Sequence, residues 1–338
     1  MRLLTISGLL LAVLLFLCNL AFGSVNIPLD QVAMVLTGHE AEKASWTFII
    51  LQSRLPQAIT AIFCGASLAV SGLMLQTFFH NPLAGPSVLG VSNGASLGVA
   101  VVMLAIGNAM GASGEMGTGL QFGSSMSVVA GAFVGSIAIM LLYLVVTNFI
   151  KNNLVILILG IMVGYLTSSA VTLLNFFATV ENVHSYVSWG MGSFSNVSMA
   201  QLPYLCSISA VGIIMALLMT KSFNQLQLGE NYALNLGMNL SRVRTVMLIS
   251  TGILTAVTTA FCGPVSFIGL AVPHIARLVT RTSNLRTLMP ATLLLGAMIA
   301  MLCNIICVLP HNMIIPLNAV TPLFGAPVII YIIVRRRF

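Results

Sequence analysis

Residues 125–178 read SMSVVAGAFVGSIAIMLLYLVVT (125–147), NFIKNN (148–153) and LVILILGIMVGYLTSSAVTLLNFFA (154–178), and Lys151 is their sole charged residue. Each apolar run matches the roughly 20 residues that a helix needs to cross a hydrocarbon core about 30 Å thick. Lipid offers no partner to a bare peptide group, so a spanning segment must satisfy its backbone internally, as a helix does. The stretch therefore predicts two transmembrane helices joined by a short loop at a membrane surface.

The same alternation runs along the rest of the chain. Further apolar segments lie at about 3–22, 54–79, 87–106, 201–219, 242–262, 264–280, 288–308 and 316–334. About ten spans follow, in an all-α polytopic membrane protein with a single transmembrane domain over 1–338. The charges sort between the breaks. Arg2, Lys151, Lys221, Arg242, Arg244, Arg277, Arg281, Arg286, Arg335, Arg336 and Arg337 fall in alternate ones, and Asp30, Glu40, Glu42, Glu115 and Glu181 fall in the others. Lys43, Arg54 and Glu230 break the rule. Basic residues are retained on the cytoplasmic side, which places both termini in the cytoplasm. Residues 3–22 have a rival reading as a signal peptide, since Ala21-Phe22-Gly23 resembles a cleavage site; the length of the run favours a retained helix.

With 58% hydrophobic and 6% charged residues and a mean hydropathy of +1.06, the chain is no ordinary soluble domain. The net charge of +7 sits mostly in juxtamembrane breaks, which suits anionic lipid better than nucleic acid. Cys18, Cys64, Cys206, Cys262, Cys303 and Cys307 form no CxxC, and although Cys303 and Cys307 would share a helix face they read as small packing residues. His39, His80, His184, His274 and His311 have no i, i+4 pair, so no metal is assigned. Span interiors hold Asn175, Asn304, Ser and Thr but no Asp or Glu, which argues against a stand-alone ion-coupled carrier. A membrane-embedded enzyme would need a clustered acid or histidine set, and none is present. No G-x-x-x-x-G-K-[ST] occurs, so any energy from ATP must arrive through another subunit.

Several breaks hold candidate function. Residues 179–200 carry Tyr186, Trp189 and Phe194 with Gly190 and Gly192, a composition for the membrane interface or a re-entrant half-helix. Gly263-Pro264, Pro273, Pro316, Pro322 and Pro327 interrupt spans, which is tolerated where helices line a cavity. Gly85-Pro86 and Gly263-Pro264 fall on opposite faces, as an inverted repeat would place them. Residues 220–241 form the longest polar break on the basic side. There Gly229 to Gly237 reads as a short helix between glycine stops, with Leu228, Tyr232, Leu236 and Leu240 on one stripe. The segment is either a connector on lipid headgroups or a docking element.

A set of strings resembles one family. They are Leu228-Gly229-Glu230 through Gly237, Arg54-Leu55-Pro56, Gly65-Ala66-Ser67-Leu68-Ala69 with Ser71-Gly72 and Gln76, and Asn81-Pro82-Leu83-Ala84 followed by Leu89 to Ala95. Trp189 with Gly192-Ser193, GPVSFIGLAVPHIARL (263–278), and Val320-Thr321 with Phe324-Gly325-Ala326-Pro327 complete the set, in family order over about 54–330. This is similar to the FecCD-type permeases, membrane subunits of bacterial ABC importers for iron–siderophore, haem and cobalamin.

The resemblance implies ten helices per subunit in the inner membrane and a second permease copy, identical or paralogous. It also implies two cytosolic ATPase subunits that use the ATP and a periplasmic or lipid-anchored substrate-binding protein. The chain itself would bind no cofactor and carry no catalytic residue. The family's path segments carry over to 160–172, 186–194 and 320–327, naming Gly160, Met162, Gly164, Ser168, Tyr186, Trp189, Met191, Phe194, Thr321, Gly325 and Pro327. Coupling to the ATPase falls on Gly229, Glu230, Tyr232, Ala233 and Gly237, and docking of the binding protein on Arg54. Gln57, Asn304 and Val308 depart from a pattern that often has an Arg at the first of these positions and an Asp and an Arg around 302–308. Iron–siderophore is the first expectation for the cargo, with haem and cobalamin as alternatives.

Overall fold

The computed structural model describes residues 2–23, 25–106, 121–150, 153–310 and 314–335. Glu115, Lys151, His311, Arg336, Arg337 and most of the segment 107–124 lie outside the described residues. Within them every regular element is helical. In chain order these are α1 (Arg2–Ala21), α2 (Leu29–Leu36), α3 (Ala44–Phe78), α4 (Val91–Ile106), α5 (Gln121–Phe149), α6 (Asn153–Phe177) and α7 (Val180–Gly190). There follow α8 (Leu202–Leu218), α9 (Thr220–Leu226), α10 (Glu230–Asn235), α11 (Leu240–Cys262), α12 (Ile268–Thr280), α13 (Leu285–Val308) and α14 (Leu317–Arg335).

Five of them, α3, α5, α6, α11 and α13, are long and apolar enough to cross a membrane, and the pair α8–α9, bent by 48°, makes a sixth. Shorter apolar helices fall within α1, α4, α12 and α14. Apart from the start of α3, these elements sit where the sequence places its spans. The shortness of α12 has a cause: thirteen residues rise only about 20 Å, and the chain from Gly263 to Phe267 completes the passage without helix. Both Gly-Pro breaks thus lead into short helices, and the ring of Pro86 packs against the backbone of Gly269. Side-chain caps set other boundaries. Asn239 accepts the Arg242 amide at 3.0 Å to start α11, and Asn284 accepts the Arg286 amide at 3.0 Å to start α13.

Helix α3 begins ten residues before the predicted start at 54. Pro56 has no N–H to give to the preceding turn, and the helix takes up that mismatch in a π-helical stretch, Ile50–Arg54. The central part of α3 is 83% buried and that of α11 78%, whereas α5 and α6 are each 22% buried and form the outside of the bundle. Helix α3 packs most extensively on α13. A Cβ added to Gly65 would land on the Gly296 carbonyl, and one added to Gly296 would land on the Gly65 carbonyl. Helices α4 and α5 repeat the device with Gly94 against Gly135 and Gly98 against Gly131. Lipid supplies no hydrophobic drive between spans, so close backbone approach is a main source of cohesion.

The bundle has two chemically distinct ends. Lys221, Arg242, Arg244, Arg281 and Arg286 flank the breaks around α9–α10 and α12–α13 at one end. Asp30, Glu40, Glu42 and Glu181 flank α2 and α7 at the other.

Candidate functional site

At the acidic end, Thr179 caps α7 by accepting the Asn182 amide, and Glu181 lies in its first turn. After about two more turns the chain reverses at Gly192, whose φ of +72° excludes most side chains without strain. Ser193 then accepts the Ser195 amide at 3.1 Å, and Phe194 plugs the core at 1% exposure. The Tyr186 and Trp189 rings lie 6.2 Å apart beside it. Burial pushes the Tyr186 phenol above its ordinary range, against the pull of a hydrogen bond with Ser96, so the ring stays neutral.

Behind this segment lies a cavity of about 670 Å³ walled by His184, Trp189, Phe194 and Ser195 and floored by Gln57 and Asn304. No lysine, arginine, aspartate or glutamate lines it among the described residues. Its floor ends a chain of neutral amides. Asn19 Nδ2 donates to Leu15 O at 2.8 Å and Met301 O at 3.2 Å, and Asn304 Nδ2 donates to Asn19 Oδ1 at 2.7 Å. Gln57 Nε2 donates to Asn304 Oδ1 at 3.0 Å and to Ser195 Oγ at 3.3 Å. Gln57 and Asn304, both neutral, are therefore direct partners.

The path residues divide. Met162, Ser168, Met191 and Pro327 are exposed, Gly164 and Tyr186 half-buried. Met162 shares an uncovered stripe of α6 with Leu166, Leu173 and Phe176. Gly160, Trp189, Phe194, Thr321 and Gly325 are buried. Trp189 and Phe194 wall the cavity, and Thr321 and Gly325 face a smaller apolar space of about 180 Å³ between α12, α13 and α14. The buried five therefore back the surface of this subunit and do not form its exposed face.

Arg54, the expected docking residue, turns inward in this structure. The side chain is 4% exposed, and the π-helical stretch turns it into the bundle. Nη1 donates to Leu20 O and Ala21 O, both at 2.8 Å, and Nη2 to Val25 O. Leu20 and Ala21 end α1, where carbonyls lack helical partners and the helix dipole is negative. In this arrangement the guanidinium is engaged within the subunit. Sequence position alone could not show it, since the cue, a cation one helix away from an uncapped C-terminus, is spatial. A second missed residue, Asn318, ties three chain breaks together; its only sequence cue is an amide two residues after Pro316, at the mouth of an apolar run.

At the basic end, Gly229 adopts φ +105° and Gly237 +79°, which isolates α10 as a single stiff turn. Ala233 is fully buried with Phe223 and Leu226, which fastens α10 to α9. Leu228, Tyr232 and Leu236 of the expected stripe are 63%, 54% and 51% exposed, as is Leu234 at 49%, whereas Leu240 is half-buried against the core at the start of α11. Glu230 lies within electrostatic reach of Arg244, whose guanidinium stands 5.6 Å over the Phe78 ring at the foot of α3. The short helix is thereby linked to the central span. Among the described residues no three His, Cys, Asp or Glu side chains gather as a metal site.

The model of the FecCD transport family matches residues 10–335. Among curated proteins, a probable iron chelatin transport system permease protein of Helicobacter pylori is 29% identical over 97% of both chains. The hemin transport system permease protein HmuU of Yersinia pestis is 32% identical over 96% of this chain and 94% of its own. The vitamin B12 import system permease protein BtuC of Photorhabdus laumondii is 33% identical over 85% of this chain and 82% of its own. Among solved structures, a metal-chelate type ABC transporter in an inward-facing conformation superposes with a TM-score of 0.84, 25% identity and 99% coverage of both chains.

Proposed function

Because this chain belongs to the FecCD transport family, whose members are membrane-spanning permeases of ABC importers, we propose that it carries an iron–siderophore chelate inward across the bacterial inner membrane. In this reading it acts with a second permease copy, two cytosolic ATPase subunits and an external substrate-binding protein. Both termini and α10 lie in the cytoplasm, and the cavity behind α7 faces outward. The observation that carries the reading is the set of exposed apolar side chains on and beside α10. An aromatic and three leucines held out by a buried alanine, between two glycine stops, suit a protein partner. Hydrolysis by that partner would move α10, and Arg244 on Phe78 would pass the motion to α3.

The cargo assignment is supported by the likeness to the Helicobacter pylori permease and to the metal-chelate transporter. A cavity without fixed charge suits a bulky ligand that must be released. The likeness to HmuU and BtuC makes haem and cobalamin the competing cargoes. The test is reconstitution in liposomes with a cognate ATPase and binding protein. ATP-dependent accumulation of ferric siderophore is expected, with no uptake by this chain alone. Uptake by the chain alone would overturn the reading, and preference for haem or cobalamin would replace the cargo.

Tyr232→Asp is expected to insert and assemble normally while ATP-driven uptake falls on the order of thirtyfold, the cost of losing one central aromatic anchor. Unchanged uptake per ATP would make α10 a connector only.

A further inference from the structure

Three breaks in helical structure meet at the acidic end: the turn after α7, the non-helical chain between α11 and α12, and the start of α14. Each carries backbone groups that no helix can satisfy. Ser193 N donates to Cys262 O at 2.9 Å, Leu317 N to Gly192 O at 3.2 Å, and Asn318 N to Met191 O at 3.1 Å. The Asn318 side chain closes the junction. Its Nδ2 donates to Gly190 O at 3.1 Å and to Pro264 O at 2.6 Å, and its Oδ1 accepts the Ser266 amide at 3.1 Å. Gly190 O belongs to the C-terminal turn of α7, where carbonyls are orphaned.

The chemistry of the position is restrictive. Two donors and one acceptor must issue from a short planar group, and asparagine alone supplies them at that length. Aspartate would keep the bond from Ser266 and set a carboxylate against two carbonyl oxygens. Serine reaches at most one partner, and glutamine places its amide one carbon too far.

We propose that Asn318 is the pin that holds the outer end of this permease shut in the inward-facing state. The proposal rests on the transport reading above, since only a protein with alternating access needs its outer end to open. It is supported by the close superposition on an inward-facing transporter. For the outer end to open, α7 and α14 must part, and the side chain then gives up Gly190 O while it keeps or loses Pro264 O with the α11–α12 break. Asn318 touches no cargo in this account. It is a positioning residue that sets how readily α7 lets go.

The experiment uses the assembled transporter in nanodiscs, with Asn318→Ala and, should that variant fail to assemble, Asn318→Ser. Hydrogen exchange of 189–193, 263–267 and 317–318 is expected to quicken roughly tenfold to a hundredfold, the effect of one or two net hydrogen bonds, while α3 and α13 stay protected. In the same sample, ATP hydrolysis without binding protein rises several-fold and chelate moved per ATP falls. Unchanged exchange, or quickening spread over α3 and α13, overturns the pin. Local quickening with unchanged cargo per ATP also overturns it, leaving a fastening of the fold. A wild-type complex that moves no chelate defeats the transport reading itself, whatever the variant shows.

Discussion

Arg54→Glu is expected to prevent accumulation of folded permease even where no binding protein is present. The guanidinium is buried against Leu20 O, Ala21 O and Val25 O, so a carboxylate in its place would face three carbonyl oxygens. Hydrogen bonds to a charged group contribute about 1.5–3 kcal/mol each, and a buried charge left without a partner costs about 3–5 kcal/mol. Either term is a large share of a total stability of about 5–15 kcal/mol. Arg54→Lys keeps the charge on a single ammonium that cannot span three carbonyls, and should melt roughly 5–10 °C below wild type. Thermal unfolding of the purified permease decides the matter, at low and high salt, since a buried clasp is little screened. Wild-type melting of Arg54→Glu together with weakened association of the binding protein would return Arg54 to a docking role.

The second large effect is expected at the crossing of α3 and α13. Gly65→Val and Gly296→Val each drive a side chain into the partner helix's carbonyl, where no rotamer escapes because the obstacle is backbone. Overpacking usually costs about 1–3 kcal/mol and more where nothing can yield. Little or no monodisperse protein should be recovered from membranes in either case. Gly190→Ala is the control: its Cβ would meet nothing within 4 Å, so fluorescence-detected gel filtration should show wild-type yield. Equal yields of Gly296→Val and Gly190→Ala would mean that the two helices do not cross so closely.

These contrasts separate what a linear reading of the chain can reach from what it cannot. The apolar segments, the sorting of charge between the two ends and the glycine-bounded α10 are local patterns, and each stands where the sequence places it. The start of α3 was misread for a local reason. Pro56 looks like a first-turn proline, yet the helix runs through it from Ala44 by way of the π-helical stretch. Partners far apart in sequence were beyond reach. Asn304 meets Asn19 across 285 positions and Gln57 across 247, and no spacing rule links them. Trp189 and Phe194 belong by position to the segment after α6, but an aromatic ring there can face a path or wall a cavity, and only packing decides.

The clasp on α1 also bears on the order in which the protein is made. Arg54 follows Ala21 by 33 residues, so the end of α1 can be seized almost as soon as the next span leaves the ribosome. Asn304 lies 285 residues after Asn19 and follows Arg54 by about 12–50 s at 5–20 residues per second. Through that interval the amide of Asn19 has its own Leu15 carbonyl as partner, and α1 is held by Arg54 together with the apolar cluster of Leu20, Val32, Val35 and Ile50. A ribosome stalled before α13 should therefore leave an α1–α3 hairpin that is docked at one end and still free along the rest of its length.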